Sequence, residues 1–321
     1  DIPTLSDGYP LSQTNQMANQ ANLMYDFGTD IASVNGNLFQ GPSVGWLAAL
    51  GWAGVLYDPV DGAPGYVGYL PKANSQFYSK ESGGIDEFDL NVSFNVNDRI
   101  FFGLTMGLYD IDYKKYSLYD ESYGAGHGYS LESWNRTEGT GFDVKLGAII
   151  RPFEYSPLRI GLAVHTPTFY TLTNETNAYL IFDNMDLGDG TIESGEIDTY
   201  DELGGRLASF KYKLNTPWKY NLSVGYTVGS QLAIGAEYEY QDYSSTKFRY
   251  DDYEGGSMWW ETGTAKDMLK AVNTFRVGLE YKFVPEFAFR AGYNISSAAY
   301  KNEAFKELPE NSVLTDTDYA N

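Results

Sequence analysis

The sequence predicts an all-β fold, a transmembrane antiparallel up-and-down β-barrel with a helical extracellular region, and three observations predict it. Segments of about ten residues alternate between apolar and polar positions, the apolar positions carry no charge, and the connections are alternately very short and very long. An Arg or Lys facing lipid at the bilayer midplane costs roughly 2–4 kcal/mol, so a charge-free face beside a charged one is what hydrocarbon demands. A soluble β-sandwich alternates too, but its strands usually run to about five or six residues. Here Tyr and Trp also gather at strand ends, as at Trp218, Tyr220, Tyr238, Tyr240 and Tyr243, in the manner of an interfacial girdle.

Residues 1–85 do not alternate and are expected to form the extracellular region, with helices over about 11–24 and 43–57. In the first, Met17, Ala21 and Met24 share one helical face. The second is apolar nearly all round and, at about 22 Å, too short to cross a bilayer. It precedes an inward-running strand and so falls on the outer side, where an apolar helix must cover something greasy or receive it. Two readings stay open: a plug packed on the barrel mouth, and a capture surface for an apolar ligand made by Trp46, Leu47, Leu50, Trp52, Val55 and Leu56.

Barrel strands are expected over residues 86–296, with eight visible at 88–96, 100–108, 142–150, 158–164, 218–226, 232–240, 275–283 and 287–295. The first shows the rule: Phe88, Leu90, Val92, Phe94 and Val96 face one way, and Asp89, Asn91, Ser93 and Asn95 the other. The inward faces carry Lys145, Arg159, His165, Glu237, Glu239, Arg276 and Arg290, together with Arg151, Glu280 and Lys282. Such residues either line a polar route or pair to fill and stiffen a narrow lumen, and His165 reads as a hydrogen-bonded lumen residue rather than a haem ligand. Short turns fall at 97–98, 152–157, 229–230 and 284–286, and long outer loops at 114–138, 168–215, 244–271 and 297–321. The first, third, fifth and seventh strands then run toward the periplasm, and the chain is expected to be an internal part of a longer barrel.

Composition narrows the function. A net charge of -21 argues against nucleic acid, whose phosphates need Lys and Arg, and the absence of cysteine removes disulfides and thiolate metal sites. No apolar run is long enough for a transmembrane helix, which leaves a barrel untouched because half of each strand is polar.

Enzymatic and metal motifs are incomplete. Gly41-Pro42-Ser43-Val44-Gly45 matches G-x-S-x-G, but no strand precedes it and neither His127 nor His165 is placed to complete a triad, so Ser43 reads as a helix cap. Asp189-Gly190-Thr191-Ile192 resembles the centre of a calcium loop, yet Met185 and Leu187 occupy the first and third ligand positions. Asp183, Asp186 and Asp189 are left as an acidic group, read first as a solvated surface and second as an irregular calcium site. No catalytic residue and no cofactor is expected.

Four stretches carry a family resemblance. They are Ser12-Gln13-Thr14-Asn15-Gln16-Met17-Ala18-Asn19-Gln20-Ala21-Asn22, Gly45-Trp46-Leu47-Ala48-Ala49-Leu50, Arg159-Ile160-Gly161-Leu162-Ala163-Val164-His165-Thr166-Pro167-Thr168, and Thr216-Pro217-Trp218-Lys219-Tyr220-Asn221. The chain resembles the FadL/TodX outer-membrane transport family, and within it the Bacteroidota branch labelled hemin receptor or aromatic-hydrocarbon transporter. The resemblance implies a 14-stranded barrel in a Gram-negative outer membrane, an N-terminal hatch, and passive passage of fatty-acid-like or aromatic-hydrocarbon-like molecules. The implied partners are outer-membrane lipid and a hydrophobic small molecule. An alternative is a non-transporting barrel that docks other envelope proteins through its acidic loops, and a general porin is a third.

Overall fold

A computed structural model describes residues 12–40, 44–68, 74–186, 190–252, 256–302 and 304. The alternating segments form one antiparallel, 12-stranded sheet. Ahead of it come helix α1 (Thr14–Asp26), helix α2 (Trp46–Ala53) and a small hairpin of β1 (Tyr57–Pro59) and β2 (Tyr66–Gly68). The sheet opens with β3 (Asn74–Val96), β4 (Ile100–Gly124), β5 (His127–Ile150) and β6 (Arg159–His165). Then follow β7 (Phe169–Asp186), β8 (Ile192–Asp198), the short helix α3 (Thr199–Glu202) and β9 (Ala208–Asn215). The chain continues through β10 (Lys219–Val228), β11 (Leu232–Asp242), β12 (Lys247–Tyr250), helix α4 (Trp259–Met268), β13 (Ala271–Val284) and β14 (Phe287–Ser296).

The eight expected strands lie side by side as β3-β4-β5-β6-β10-β11-β13-β14, each antiparallel to the next. Strands β3 and β14 do not pair, so the sheet is an arc and is not closed among the described residues. Asn97 and Asp98 both adopt positive φ (53° and 54°), the backbone that a two-residue hairpin turn requires, and the Asn95 carboxamide accepts from the Asp98 N–H at 3.0 Å. The outward face is bare: Phe88, Leu90 and Leu222 are 66%, 68% and 50% exposed. From Phe88 to Val96 that face covers about 27 Å of strand, the reach of a bilayer's hydrocarbon core once tilted.

The structure corrects the extent of the strands. Residues 114–138 are not a loop, because β4 and β5 run on for 25 and 24 residues and meet only at Ala125 and Gly126. Strand β3 starts at Asn74, inside the stretch expected to be non-alternating, and pairs with β4 without a slip from Asn74↔Ser122 to Val96↔Ile100. The span 168–215 contains β7, β8, α3 and β9, and 244–271 contains β12 and α4. The first helix ends later than expected, and the second is shorter than 43–57. Ser43, Asp189, and residues 303 and 305–321 of the last expected loop lie outside the described residues.

Two prolines divide the sheet into levels. Lower β5 pairs with β6 and upper β5 with β7, so β6 and β7 are one strand path interrupted at 166–168. Strands β10 and β9 are interrupted likewise at 216–218. Pro167 and Pro217 have no N–H for a ladder. Threonines take over some of the pairing: the Val144 N–H donates to Thr166 Oγ1 at 3.0 Å, and the Thr168 N–H to Thr216 Oγ1 at 2.8 Å.

The buried core sits on the upper, outer level. Its sheet side is Tyr119, Tyr129, Leu131, Leu180 and Phe182, and its cover is Met17, Ala21, Leu47, Leu50, Leu56 and Tyr57. By unbroken register these sheet residues share the inward face with Asp143 and Lys145 below them. The helices therefore cover the lumen side of the sheet.

Candidate functional site

The Gln- and Asn-rich α1 uses its polar residues as backbone partners. Gln20 Oε1 accepts from the Ala48 N–H of α2 at 2.8 Å, and Asn22 pairs with both the N–H (2.6 Å) and the C=O (2.9 Å) of Tyr66 in β2. Gly51 lets α2 approach closely, since a Cβ there would meet Met17 and Tyr57 at 2.8 Å. Buried Glu121 joins this unit to the sheet: its Oε2 accepts from Tyr119 Oη (2.9 Å), Tyr129 Oη (2.8 Å) and the Gln13 N–H (3.2 Å). Loss of solvent raises the Tyr119, Tyr123 and Tyr129 hydroxyls well above their usual pKa, so they stay protonated around that carboxylate. Tyr66 is pushed up to about 12, chiefly by burial and then by its bond to Asp30.

This packing divides the expected capture residues. Leu47, Leu50 and Leu56 are buried in the protein's own core and present no surface to a ligand. Trp52 is half-buried, in ring contact with Tyr57 (5.8 Å) and Tyr66 (5.7 Å), and Val55 is half-buried at the helix end with a positive φ of 54°. Trp46 remains exposed.

A second aromatic group, outside the residues expected from sequence, lies at the other end of α1. Gly28, with φ 89°, ends the helix while the Thr29 N–H returns to the Met24 carbonyl at 2.8 Å, and Phe27 is left 67% exposed. Phe27 meets Trp260 of α4 edge-on (6.1 Å, 87°), and Trp260 meets Trp259 edge-on (5.6 Å, 85°). Together with Leu23, Tyr250 and Glu261 they line an open pocket of about 310 Å³.

From Tyr250 the aromatics continue along one face of β12 and β9. Tyr250 meets Phe210 at 6.2 Å, Phe210 stacks on Tyr212 at 5.9 Å and 18°, and Tyr212 meets Phe248 at 6.2 Å. Register places this row on the inward face: Phe142 pairs with Phe169, Phe169 with Asn215 and Asn215 with Lys247, all outward, which turns the intervening Phe210, Tyr212, Phe248 and Tyr250 inward. The outward neighbours Lys211 and Lys213 hold Asp251 at 2.9 Å each. Sequence did contain the signal, since Phe210-Lys211-Tyr212-Lys213-Leu214 and Lys247-Phe248-Arg249-Tyr250 alternate.

Below the track, the inward charges are mostly paired. Lys145 bonds Glu87 and lies 3.0 Å from Asp89, Arg276 spans Glu237 (2.5 Å) and Glu239 (3.2 Å), and Arg290 meets Glu280 at 2.6 Å. Arg159 has no ion pair among the described residues and stands with Arg276 and Arg290 on a groove of about 660 Å³. That groove exists because Gly225, Gly235 and Gly278, which line it, form one cross-strand row with no side chains to fill it. His165 lies opposite Lys145 and Lys219 on the same wall. Asp183 and Asp186 sit on outer β7, and among the described residues no group of three or more His, Cys, Asp or Glu is arranged to hold a metal ion.

No protein-family model matches the chain, and no curated protein matches it. Among solved structures it is similar to the Ralstonia pickettii toluene transporter TbuX, at 13% identity and a TM-score of 0.39, over 73% of this chain and 68% of that one. It is also similar to the CymD monoaromatic hydrocarbon channel, at 11% identity and a TM-score of 0.36, over 72% of this chain and 75% of that one.

Proposed function

We propose that this chain is part of an outer-membrane β-barrel that admits hydrophobic small molecules passively. The observation that carries the proposal is the aromatic row from Trp259, Trp260 and Phe27 through Tyr250, Phe210 and Tyr212 on the inward face. Large rings left exposed outside the hydrocarbon lose the benefit of burial until something apolar covers them. A row of them lets a ligand move by small steps without returning to water. The charge-free outward band supports a bilayer location, and the motif resemblance to the FadL/TodX family points to the same class of passenger. Trp46, Trp52 and Val55 provide a second greasy surface at the outer end, whereas Leu47, Leu50 and Leu56 act by packing.

The test is uptake of a labelled single-ring hydrocarbon and of a long-chain fatty acid by outer-membrane vesicles containing the full chain. Uptake of at least one should exceed that of empty vesicles and fall severalfold in Phe210→Asp/Tyr250→Asp. Equal uptake with and without the protein sinks the proposal.

A further inference from the structure

The pocket at the head of the track has a feature that an apolar passenger does not explain. Its walls are the rings of Phe27, Trp259, Trp260 and Tyr250, and the one charged side chain lining it is a carboxylate, Glu261. Neighbouring rings stand nearly perpendicular, at 85° and 87°, so their negative π-faces are not all turned the same way. No Lys or Arg lines the pocket, and among the described residues no cation pairs with half-buried Glu261. This differs from nearby Asp251, which two lysines neutralise. Aromatic rings lining one space together with a carboxylate that no cation pairs form an environment suited to an organic cation, above all a quaternary ammonium, which offers charge without hydrogen-bond donors. Glu261 lies in the first turn of α4, where the helix N-terminus favours a carboxylate, and covering it with a neutral hydrocarbon adds a desolvation cost that a cation would repay.

On this basis we propose that the pocket between α1 and α4 binds organic cations, taking the quaternary ammonium head of an aryl or alkyl ammonium ion while its apolar part lies toward Tyr250 and Phe210. The inference rests on the reading that this pocket receives ligands from outside, and it names which ones. The net charge of -21 favours cation approach at low ionic strength.

The test compares phenyltrimethylammonium with its uncharged carbon isostere, tert-butylbenzene, using the full chain in lipid nanodiscs and saturation-transfer NMR. Wild type should bind the ammonium ion saturably and more weakly as salt rises. Glu261→Gln should weaken the ion by roughly fivefold without weakening the isostere, and Trp260→Leu, which keeps an apolar wall, should weaken the ion at least fivefold and the isostere by less than half as much. Trp259→Leu repeats the comparison if Trp260→Leu fails to fold. Absence of saturable ammonium binding, or variants that weaken both ligands equally, overturns the proposal. The two proposals fail separately: hydrocarbon uptake lost with ammonium binding intact removes only the transport reading, and the converse removes only the cation site.

Discussion

The same strands follow different rules in their two halves. In the lower halves of β4 and β5 the outward positions are Leu104, Met106, Leu108, Phe142, Val144 and Leu146, and the inward ones include Asp143 and Lys145. Past the row Asp86↔Asp110↔Thr140, with register unbroken, charged Asp112, Lys114, Glu138 and Arg136 enter the outward face beside Tyr78, Tyr116, Leu118 and Trp134. The inward positions come to include Tyr119, Tyr129 and Leu131, buried under α1 and α2. The ladder register does not change at this boundary, although Gly83 and Gly139 beside it adopt positive φ (116° and 155°). What changes is the medium outside: where lipid touches the sheet its outward residues are apolar throughout, and where water does, charges enter that face while the apolar core is buried inward under the helices.

The largest effect expected from this contrast comes from charging the outward face at the two levels. Leu104→Arg, in the middle of the band, should cost roughly 2–4 kcal/mol, whereas Tyr78→Arg, outward but above the boundary, should stay within about 0.5 kcal/mol. Denaturant midpoints of the chain refolded in lipid vesicles measure both, and equal shifts would remove the boundary. Next is the inward face of the upper level. Glu121→Ala strands three donors, the Tyr119 and Tyr129 hydroxyls and the Gln13 N–H. It should cost about 1–3 kcal/mol. Hydrogen exchange should show the loss in α1, with β10 and β11 unaffected.

That change also explains what could be read in advance. All eight strands of the lower level were legible, and side by side in the right order, because one parity stays apolar from Phe88 to Val96 and in every segment like it. The upper halves were misread as loops because neither parity stays apolar past Asp110: Tyr116, Leu118 and Trp134 fall on the outward parity and Tyr113, Tyr119 and Leu131 on the inward one, interleaved with charges on both. Burial of Leu47, Leu50 and Leu56 was not legible for another reason. An apolar helix looks the same whether it meets a ligand or its own sheet, and only the long-range contact with Leu180 and Phe182 decides. The aromatic pocket was hidden because Phe27 and Trp260 lie far apart in sequence and meet only through the fold.

A pH effect should be readable at one contact of the upper level. Asp30 is held below its usual value of 3.8, first by the Tyr66 hydroxyl, against some desolvation, then by the Ser33 hydroxyl and the Ala32 N–H. A carboxyl depressed in the fold contributes stability above its unfolded pKa and loses it as pH falls through the folded value. The contact between β2 and the turn at Ile31–Ser33 should therefore loosen progressively below about pH 4. Near-ultraviolet circular dichroism of the tyrosines should follow this, and Asp30→Asn should abolish the step. A step that persists in Asp30→Asn belongs to another group.

The smallest effect separates the two faces of a single strand. Lys211 and Phe210 are neighbours in β9, the first outward in an exposed pair with Asp251 and the second inward on the aromatic row. An exposed ion pair is worth roughly 0–1 kcal/mol, and Lys213 still holds Asp251 when Lys211 is lost. Lys211→Ala should therefore leave stability within about 0.5 kcal/mol and leave hydrocarbon uptake unchanged. Phe210→Ala removes the ring that contacts both Tyr212 and Tyr250, which divides the row, and uptake should fall while the outer-membrane level of the protein stays constant. If Lys211→Ala slows uptake as much as Phe210→Ala does, passage does not follow the inward face, and the two faces of the upper sheet are not divided between solubility and transport.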